Sequence, residues 1–600
     1  MGDFLLDTEP GQHTRLTDLL QDFQSGTGLP PRASSSFTGS WGSLAVTGGP
    51  YAGFEPLEDQ DSICVVIGGP VLAFGHGPAG SPHPPGSPQQ TGSQRAGTKR
   101  ILERFRSGQM DWASDLDGPF VVLIIQKAEG EIICATDHLL FIPVFRGDAG
   151  RSTVVGTHVD LVAMASGRFG ELDPVSLEDF LLHQRITHPH TAFRQVLQAE
   201  PGTIHRCGGV NGSGGFGQGT WTEQRYWLPD ETVRFSDMHE AATYLRHGLA
   251  TYLTRLTAGL GEVAHFLSGG EDSRSVCGLI PSSIERDGFL FLDGMNREWE
   301  VAKRVAETYG SSLTPVIRPP EHYLNILPRC SRLAGAGKAF YHAHAFGLLT
   351  EGLERSPAVL GGYLSDTLLK GYHAPGLWMR NPTLRRLVGG GGSGRRLSSH
   401  GARADAVWWE IAARHHRQLQ RVHQVRPRSS EEWFTLWPIT MRPSHTYFST
   451  NRRLFAAREI FISNDALTVA AGVPVEWKLR RQLFRAAMAP VLERSHDIPH
   501  ARGWYPTRSA LENAAPRLVS ETKRALRRVS RSGGHEGSWA DWPTLRRSAT
   551  WAEYRRQTLT GEMNEVFPRW VAHMASGKAS TRESLAMFQT AELLKRVASY

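Results

Sequence analysis

The sequence predicts two domains: a β-rich N-terminal domain of the α+β class, then an α/β domain built on a doubly wound parallel sheet. Three observations support this prediction. A chain of 600 residues is too long for one ordinary hydrophobic core. Short apolar runs separated by turn residues dominate the chain up to about residue 160. Beyond residue 260, strand-like and helix-like segments alternate, as they do in βαβ units.

The N-terminal apolar runs have the length of strands. The predicted strands are residues 63–72, 120–126, 131–136, 142–145 and 153–156. Between the first two runs, residues 75–97 are rich in Gly, Pro, Ser and Gln. Because this composition offers little to a packed core, we expect a disordered surface insertion there.

The most informative stretch of the chain is residues 263–273. Residues 263–267 are predicted to form a buried parallel strand, residues 268–270 a tight glycine turn, and residues 271–273 the first turn of a helix. The N–H groups of a helix N-terminus attract an anion. Asp272 would add an oxygen ligand for a Mg²⁺ carried by that anion. An ordinary Ser/Gly-rich strand–helix turn is the alternative interpretation.

A βαβ unit follows this turn. Residues 288–293 and 313–317 have the composition of strands, and residues 298–309 show the apolar spacing of a helix that Gly310 ends. This pattern predicts a parallel sheet, in which ligands bind beyond the carboxyl ends of the strands.

A second glycine turn lies at residues 359–366. A short apolar run leads into Gly361 and Gly362, and Asp366 follows. Taken alone, this pattern is typical of a glycine turn with a helix-capping aspartate. Paired with the first turn, it predicts that Asp272 and Asp366 flank one polyphosphate.

Composition narrows the functional class. Hydrophobic residues at 40% and charged residues at 21% are typical of a soluble globular protein. No apolar run approaches the roughly 18 residues of a membrane helix, and the first ten residues lack a signal-peptide pattern. The net charge of +7 comes from widely spread arginines, so we expect neither a nucleic-acid nor a membrane partner. The five cysteines form no C-x-x-C pair, which fits a reducing cytoplasm.

Three further stretches predict no chemistry of their own. His342 and His344 are two residues apart and share no helix face, so we favour core or site-lining roles over a zinc pair. Residues 388–398 are predicted to form a flexible loop. The basic run at residues 523–531 is predicted to be a solvated helix face.

Several motifs together resemble one family. The SGG-x-DS pattern of residues 268–273 resembles the pyrophosphate-binding loop of the ATP pyrophosphatase superfamily, and residues 359–366 resemble the SGEGSDE segment of asparagine synthetases. Residues 117–122 and 135–145 resemble the glutamine amidotransferase domain that begins those enzymes, with Tyr226-Trp227 as its usual end. The chain thus resembles the asparagine synthetase superfamily, which includes β-lactam synthetase and lasso-peptide cyclases.

The resemblance implies a fold and a domain division. Residues 1–225 would form an Ntn-type, amidotransferase-like β-sandwich with helices. Residues 235–600 would form an ATP-binding synthetase domain of the ATP pyrophosphatase type, with additional helices.

The resemblance also implies cofactors and a binding site. The cofactors would be ATP and Mg²⁺, with Asp272 and Asp366 holding the metal. The residues expected to contact ATP and pyrophosphate are Leu267, Ser268, Gly269, Gly270, Asp272, Ser273, Gly361 and Gly362.

Three residues match catalytic positions of the family. Tyr363 stands where β-lactam synthetase has a tyrosine that helps deprotonate an amine, although a buried structural tyrosine is an equal alternative; Glu410 is a candidate acidic partner. Lys478 and Arg494 fit the K-x-x-L-R…R-x-K stretch, but its later lysine is missing. The candidate substitutes for that lysine are His496, His500 and Arg502.

The glutaminase nucleophile of the family has no counterpart. Glutamine-hydrolysing members begin Met-Cys, whereas this sequence begins Met1-Gly2-Asp3 and its first cysteine is Cys64. We expect that the N-terminal domain has lost glutaminase activity.

The function implied by these features is ATP-dependent amide-bond formation. A substrate carboxylate would be adenylated with release of pyrophosphate, and an amine or ammonia would displace AMP. The partners would be small-molecule or peptide carboxylates and amines, and the oligomeric state stays open, a homodimer included. The alternatives are an asparagine synthetase fed by free ammonia, another ATP pyrophosphatase such as a tRNA-modifying enzyme, and an inactive scaffold.

Overall fold

The structure is a computed structural model. It describes residues 2–74, 96–208, 221–348, 352–371, 406–509, 511–516, 518–519, 522 and 540–600. The loop predicted at residues 388–398 and the basic run at residues 523–531 lie outside these described residues, as does the predicted insertion up to residue 95. A helix begins at Gly97, the last residue of that predicted insertion.

Two six-stranded antiparallel sheets form the N-terminal part. The first has the strand order β12-β10-β11-β1-β3-β2 and the second β14-β13-β9-β8-β5-β4. The strands are β1 Phe4–Asp7, β2 Ser34–Gly39, β3 Gly42–Thr47, β4 Leu57–Glu58, β5 Ser62–Ile67, β6 Val71–Leu72, β7 Leu116–Asp117, β8 Val121–Gln126, β9 Glu131–Thr136, β10 Phe145–Asp148, β11 Thr153–Gly156, β12 Val196–Gln198, β13 Thr203–Cys207 and β14 Thr222–Arg225.

The two sheets pack face to face, with helices outside them. Leu44 of the first sheet and Leu123 of the second lie in the same buried cluster. The alternate residues Ala45 and Val122 face outward into two other clusters, against α1 (His13–Thr27) and α2 (Gly97–Arg106). Because both faces of these strands are buried, their sequences are continuous apolar runs. The predicted β-sandwich with helices is confirmed.

Two predicted strands differ from the observed ones. Residues 63–72 form two strands, because Gly68 and Gly69 adopt positive φ angles of 103° and 60° and a Cβ at Gly68 would collide with the carbonyl of Pro119. Residues 142–144 precede β10 and belong to no strand. The carboxylate of Asp137 accepts the N–H groups of Phe141 and Ile142 there and holds the chain in a turn.

A five-stranded, all-parallel sheet forms the centre of the second part, as predicted. Its order is β17-β16-β15-β18-β19. Strands β16 and β17 are added on one side of β15, and the later strands β18 and β19 on the other side. Its strands are β15 Glu262–Phe266, β16 Glu285–Leu292, β17 Ser312–Ile317, β18 Val359–Gly361 and β19 Ala457–Glu459. The order reverses between β15 and β18, which is where doubly wound sheets bind ligands.

Helices cover both faces of the parallel sheet. Val263 and Leu360 lie in one buried cluster with Leu249 of α5, and their neighbours Ala264 and Val359 lie in another with Leu327 of α8. The remaining helices are α3 Val159–Ala165, α4 Pro174–His183, α5 Met238–Leu256, α6 Glu271–Leu279, α7 Arg297–Tyr309, α8 His322–Ala334, α9 Ser365–Leu368, α10 Ala406–Val425, α11 Ser430–Trp433, α12 His445–Leu454, α13 Asn464–Gly472, α14 Val475–Lys478, α15 Gln482–Met488, α16 Trp542–Leu545, α17 Ala549–Thr560, α18 Glu562–Val566, α19 Pro568–Ala575 and α20 Thr581–Ser599.

The C-terminal helices contact both parts of the protein. Helix α20 packs on α4 of the sandwich and on α8 of the parallel sheet. Among the described helices, none combines the length and the apolar character that crossing a membrane requires. The domain limits at residues 225 and 235 stay a prediction.

Candidate active site

The two glycine turns meet at the carboxyl ends of β15 and β18. These strands are paired, with His265 opposite Leu360. A Cβ atom built on Gly362 would lie only 3.1 Å from the Cβ of Asp272, so the second turn passes directly over the first turn of α6. Oxygens of Glu271, Asp272 and Asp366 consequently lie within 4.8 Å of one another.

A buried lysine lies among these carboxylates. The Nζ of Lys370 is 2.9 Å from Asp366 Oδ1 and 2.9 Å from Glu271 Oε1, and it also pairs with Asp272. Sequence reasoning did not identify Lys370. The sequence signal for Lys370 is its spacing: it follows Asp366 by four residues, a separation at which two side chains can pair.

The electrostatics of the cluster follow from this arrangement. Burial opposes the charge of Lys370, but Asp272, Glu271 and Asp366 together raise its pKa above the usual range. Burial raises the pKa of Asp272; the attraction of Lys370 opposes this rise, and repulsion from Asp366 and Glu271 adds to it. Lys370 is therefore held as an ammonium ion in a cluster rich in carboxylates.

The donor set fits a magnesium ion. Glu271, Asp272 and Asp366 offer carboxylate oxygens, which hard cations prefer. The cluster contains these three carboxylates and two cations, Lys370 and Arg481, because Arg481 also pairs with Glu271. Its formal net charge is therefore negative. The ammonium of Lys370 lies between Asp272 and Asp366, so a positive charge is stabilised at this position.

The first turn is organised by its own serines. Ser273 Oγ accepts the N–H of Ser268 at 3.0 Å and lies 2.9 Å from Ser268 Oγ, which accepts the N–H of Gly270 at 3.2 Å. Gly270 precedes α6 and provides no side-chain cap. The helix therefore begins with the uncapped N-terminus that favours anions.

Neighbouring segments hold this turn in place. The Gly269 N–H donates to Glu298 Oε1 at 2.7 Å, so a carboxylate already occupies one donor of the turn. Arg274 is fully buried and donates to the carbonyls of Ser495 and Ile498. A Cβ at Gly270 would lie 3.9 Å from Nε2 of His500, which places that imidazole beside the turn.

Tyr363 lies close to a glutamate that the sequence did not reveal. The Tyr363 N–H donates to Glu459 Oε2 at 2.8 Å, and the hydroxyl of Tyr447 also bonds to Glu459. The rings of Tyr363 and Tyr447 are 5.4 Å apart. Burial raises the pKa of Glu459 to about 8 and that of Tyr363 to about 12. Glu459, at the end of β19, is the acidic group beside Tyr363.

A cavity of about 180 Å³ opens next to the first turn. It is lined by Leu267, Ser268 and Ser273 of the turn and by Tyr447. The rest of its wall consists of Phe266, Phe289, Leu290, Phe291, Arg318, His344 and Ala345. The expected site-lining role of His344 fits this position.

Other residues of the predicted site lie elsewhere. Lys478 is buried and pairs with Glu432 at 3.0 Å. Arg494 is exposed and donates to the carbonyl of Thr308. Neither residue contacts the carboxylate cluster, and their catalytic roles stay predictions.

Two further candidates for site roles are also placed away from the cluster. Glu410 pairs with Arg414 and Arg417 on its own helix rather than with Tyr363. His496 is exposed and bonds to the carbonyl of Glu493, whereas His500, described above, adjoins the first turn.

The start of β1 lies in a tightly filled environment. Asp3 is buried between Arg452 and Arg453 of α12, whose guanidinium nitrogens lie 2.9 and 2.8 Å from its carboxylate. Burial opposes the charge of Asp3, but the two arginines hold its pKa well below its usual range. The cavity lined by Gly2 and Arg452 measures only about 20 Å³.

The comparisons with known proteins point to one family. A family model for asparagine synthase matches residues 245–525, a range that includes both glycine turns and Lys370. Enzymes of this family carry out ATP-dependent amidation, typically with Mg²⁺. No curated protein sequence matches the chain.

Two solved structures resemble parts of the chain. One is described as the allosteric regulatory enzyme of purine biosynthesis; it is 13% identical and covers 54% of this chain and 81% of its own, with a TM-score of 0.25. The other is the glutamine phosphoribosylpyrophosphate amidotransferase of B. subtilis with ADP and GMP; it is 13% identical and covers 65% of this chain and 79% of its own, with a TM-score of 0.22. Scores this low support no conclusion. The family match shows an asparagine synthase domain over residues 245–525, the range that contains the two meeting turns.

Proposed function

We propose that the protein is an ATP-dependent ligase that adenylates a substrate carboxylate and transfers the acyl group to an amine or to ammonia. The observation that carries the proposal is the meeting of the two glycine turns, which gathers Glu271, Asp272 and Asp366 beside an uncapped helix N-terminus. The substrate carboxylate attacks the α-phosphorus of ATP, pyrophosphate leaves, and the amine then displaces AMP from the acyl-adenylate.

The residues of the first turn hold the leaving pyrophosphate. The N–H groups in the uncapped first turn of the helix, those of residues 271–273, and the hydroxyls of Ser268 and Ser273 are the donors offered to phosphate oxygens. The carboxylates of Asp272 and Asp366 would hold Mg²⁺, which when bound would supply charge neutralisation to the leaving group. The adjoining cavity, lined by Leu267, receives the remainder of the substrates.

Glu459 and Tyr447 are placed to move the proton of the attacking amine. Tyr447 lines the cavity, and its hydroxyl bonds to the buried carboxyl of Glu459. A group with a pKa of about 8 is close to the value that general base catalysis needs near neutral pH. Tyr363 positions this carboxyl through its backbone N–H.

Pyrophosphate exchange into ATP tests the adenylation step. Purified protein is incubated with ATP, Mg²⁺, labelled pyrophosphate and a panel of carboxylic acids. We expect exchange with at least one acid, and its loss in Asp272→Ala and Asp366→Ala. Asp497→Ala is the matched control, since Asp497 is an exposed aspartate near the same loop. Full exchange in both cluster variants would overturn the assignment of the metal ligands.

A scaffold without catalysis is the second candidate, and one observation favours it. The ammonium of Lys370 lies between the carboxylates that the ligase needs for its metal. If Lys370 keeps this place permanently, the protein binds neither Mg²⁺ nor ATP. Binding of a non-hydrolysable ATP analogue with Mg²⁺, measured by calorimetry, separates the two candidates without a known acid substrate.

A further inference from the structure

A second group of metal-ligating side chains lies outside the site described above. Asp179 and His183 are one turn apart on α4, and His415 lies on α10. Asp179 Oδ1 is 2.8 Å from His183 Nδ1 and 3.0 Å from His415 Nε2. These three atoms lie within 4.8 Å of one another, so both imidazoles point at the same carboxylate oxygen.

The cluster is enclosed, with one side open to solvent. The side chains of Asp179 and His183 are 2% and 7% exposed, whereas that of His415 is 15% exposed. The two imidazole rings are 4.7 Å apart, and the ring of Phe434 lies 5.6 Å from His415. Of the three side chains, that of His415 is therefore the one most open to solvent.

The orientation of Asp179 is fixed by a separate contact. Its second oxygen, Oδ2, accepts the backbone N–H of Thr187 at 2.9 Å and the Thr187 hydroxyl at 2.7 Å. Oδ1 is thereby left to face His183 and His415. Such hydrogen bonds to the outer oxygen of a carboxylate are what orient metal ligands in proteins.

We propose that Asp179, His183 and His415 bind a divalent transition-metal ion, with Zn²⁺ as the best match, and thereby join α4 to α10. Two imidazole nitrogens and one carboxylate oxygen form a donor set that suits zinc, with water as the fourth ligand. Tetrahedral bonds of about 2.0–2.1 Å place neighbouring ligand atoms roughly 3.3 Å apart. The observed separations of 2.8 and 3.0 Å need to widen by only a few tenths of an ångström.

Asp179 supplies the negative charge of the cluster, and the guanidinium groups of Arg185 and Arg414 are the neighbouring cations. Arg414, next to His415, has its guanidinium paired with Asp173 at 2.9 Å and with Glu410 at 3.1 Å. Without metal, Asp179 accepts hydrogen bonds from both histidines, so the metal replaces two hydrogen bonds rather than filling an unsatisfied site.

The site would strengthen an existing contact between the two parts of the protein. Helix α4 belongs to the sandwich side and α10 to the synthetase side, and Arg414 already links them through Asp173 and Ser176. A metal ion that binds only the folded protein adds stability that grows with the logarithm of its free concentration once that concentration exceeds the Kd. The proposal is independent of the ligase chemistry, since none of its residues belongs to the carboxylate cluster.

Titration of the chelator-treated, tag-free full chain tests the proposal. We expect calorimetry to detect one equivalent of Zn²⁺ per chain, and Co²⁺ to give the visible absorption of a four-coordinate site with nitrogen and oxygen ligands. Zn²⁺ should also raise the Tm. A wild-type chain that binds no equivalent of Zn²⁺ and shows no Co²⁺ absorption would overturn the proposal and leave a purely hydrogen-bonded clamp.

Matched variants assign the binding to these residues. His415→Ala and His183→Gln should each lose one equivalent of Zn²⁺ and the Zn²⁺-dependent Tm increase. His416→Ala is the control, because His416 is exposed on the same helix and outside the cluster. Equal zinc binding by His415→Ala and His416→Ala would show that surface histidines bind the metal, and would also overturn the proposal.

Discussion

The ammonium of Lys370 lies 2.9 Å from Asp366 Oδ1 and at the same time pairs with Asp272, although the two aspartates come from turns that are far apart in the chain. Lys370 thus occupies the point where a magnesium ion would bridge the turns. This relationship gives the first prediction.

Lys370→Met should uncover the metal site. Removing a buried cation leaves carboxylates without compensation, so the free energy of unfolding should fall by about 3 kcal/mol. A divalent cation should restore part of that loss. Urea unfolding with and without Mg²⁺ measures both effects, and electron paramagnetic resonance should detect Mn²⁺ binding without nucleotide in the variant only.

Lys595→Met provides the control for that experiment. Lys595 is an exposed lysine that pairs with Glu592, and its loss should change stability by less than about 0.5 kcal/mol. Unchanged stability of Lys370→Met, with no response to Mg²⁺, would contradict the role assigned to the cluster.

The second prediction concerns the close approach at Gly361. A Cβ at this position would lie 2.5 Å from Cδ of Glu459, a buried carboxyl that cannot move to solvent. Gly361→Ala should therefore cost about 1–3 kcal/mol of stability and displace Glu459. Gly261→Ala is the control, because a Cβ at Gly261 meets nothing within 4 Å. Its urea midpoint should equal that of the wild type within experimental error. Equal urea midpoints for the two variants would contradict the close contact between Gly361 and Glu459.

The third prediction concerns the pH dependence of stability through Glu459. Its pKa is about 8 in the folded protein and near 4.5 when unfolded, so the folded state binds more protons between these values. Its contribution to stability is therefore lost progressively as the pH rises from about 4.5 to 8. Glu459→Gln lacks this proton uptake and should gain about 2 kcal/mol relative to wild type between pH 6 and pH 8.

Urea unfolding at several pH values measures that difference. Taking the difference between variant and wild type removes the contributions of other buried acids, such as Asp117 and Asp137. Glu103→Gln, an exposed substitution, should show no such trend. A difference that stays constant with pH would mean that Glu459 is ionised in the folded protein at neutral pH.

The fourth prediction is that the protein does not release glutamate from glutamine. Gly2 offers no nucleophile, and the cavity beside it holds only about 20 Å³, too little for a glutamine side chain. Gly2→Cys should not create the activity, because Arg452 lines the same cavity. A coupled glutamate assay checks both proteins; glutamate release by wild type would refute the expected loss.

Much of the fold could be predicted because its signals are local. The turns at Ser268–Gly270 and Gly361–Gly362 each follow an apolar strand, and the alternation after residue 260 predicts the parallel sheet. The strand break at Gly68 was missed because it depends on the approach of Pro119, a contact that only the folded chain makes.

The site was predicted in part for the same reason. Asp272 and Asp366 stand beside glycine turns, so their chemistry is visible in sequence. Glu459 lies 96 residues after Tyr363 at the end of another strand, and no local pattern connects them. The pairing of His415 with Asp179 likewise spans 236 residues and arises only when α10 packs on α4.

The burial of Asp3 between Arg452 and Arg453 ties the first strand of the sandwich to a helix of the synthetase part. Separating the first strand from α12 would remove the ion-pair partners of one buried anion and two buried cations, a loss that costs several kcal/mol. The N-terminal sandwich and the synthetase part should therefore unfold together in one transition rather than as two independent modules.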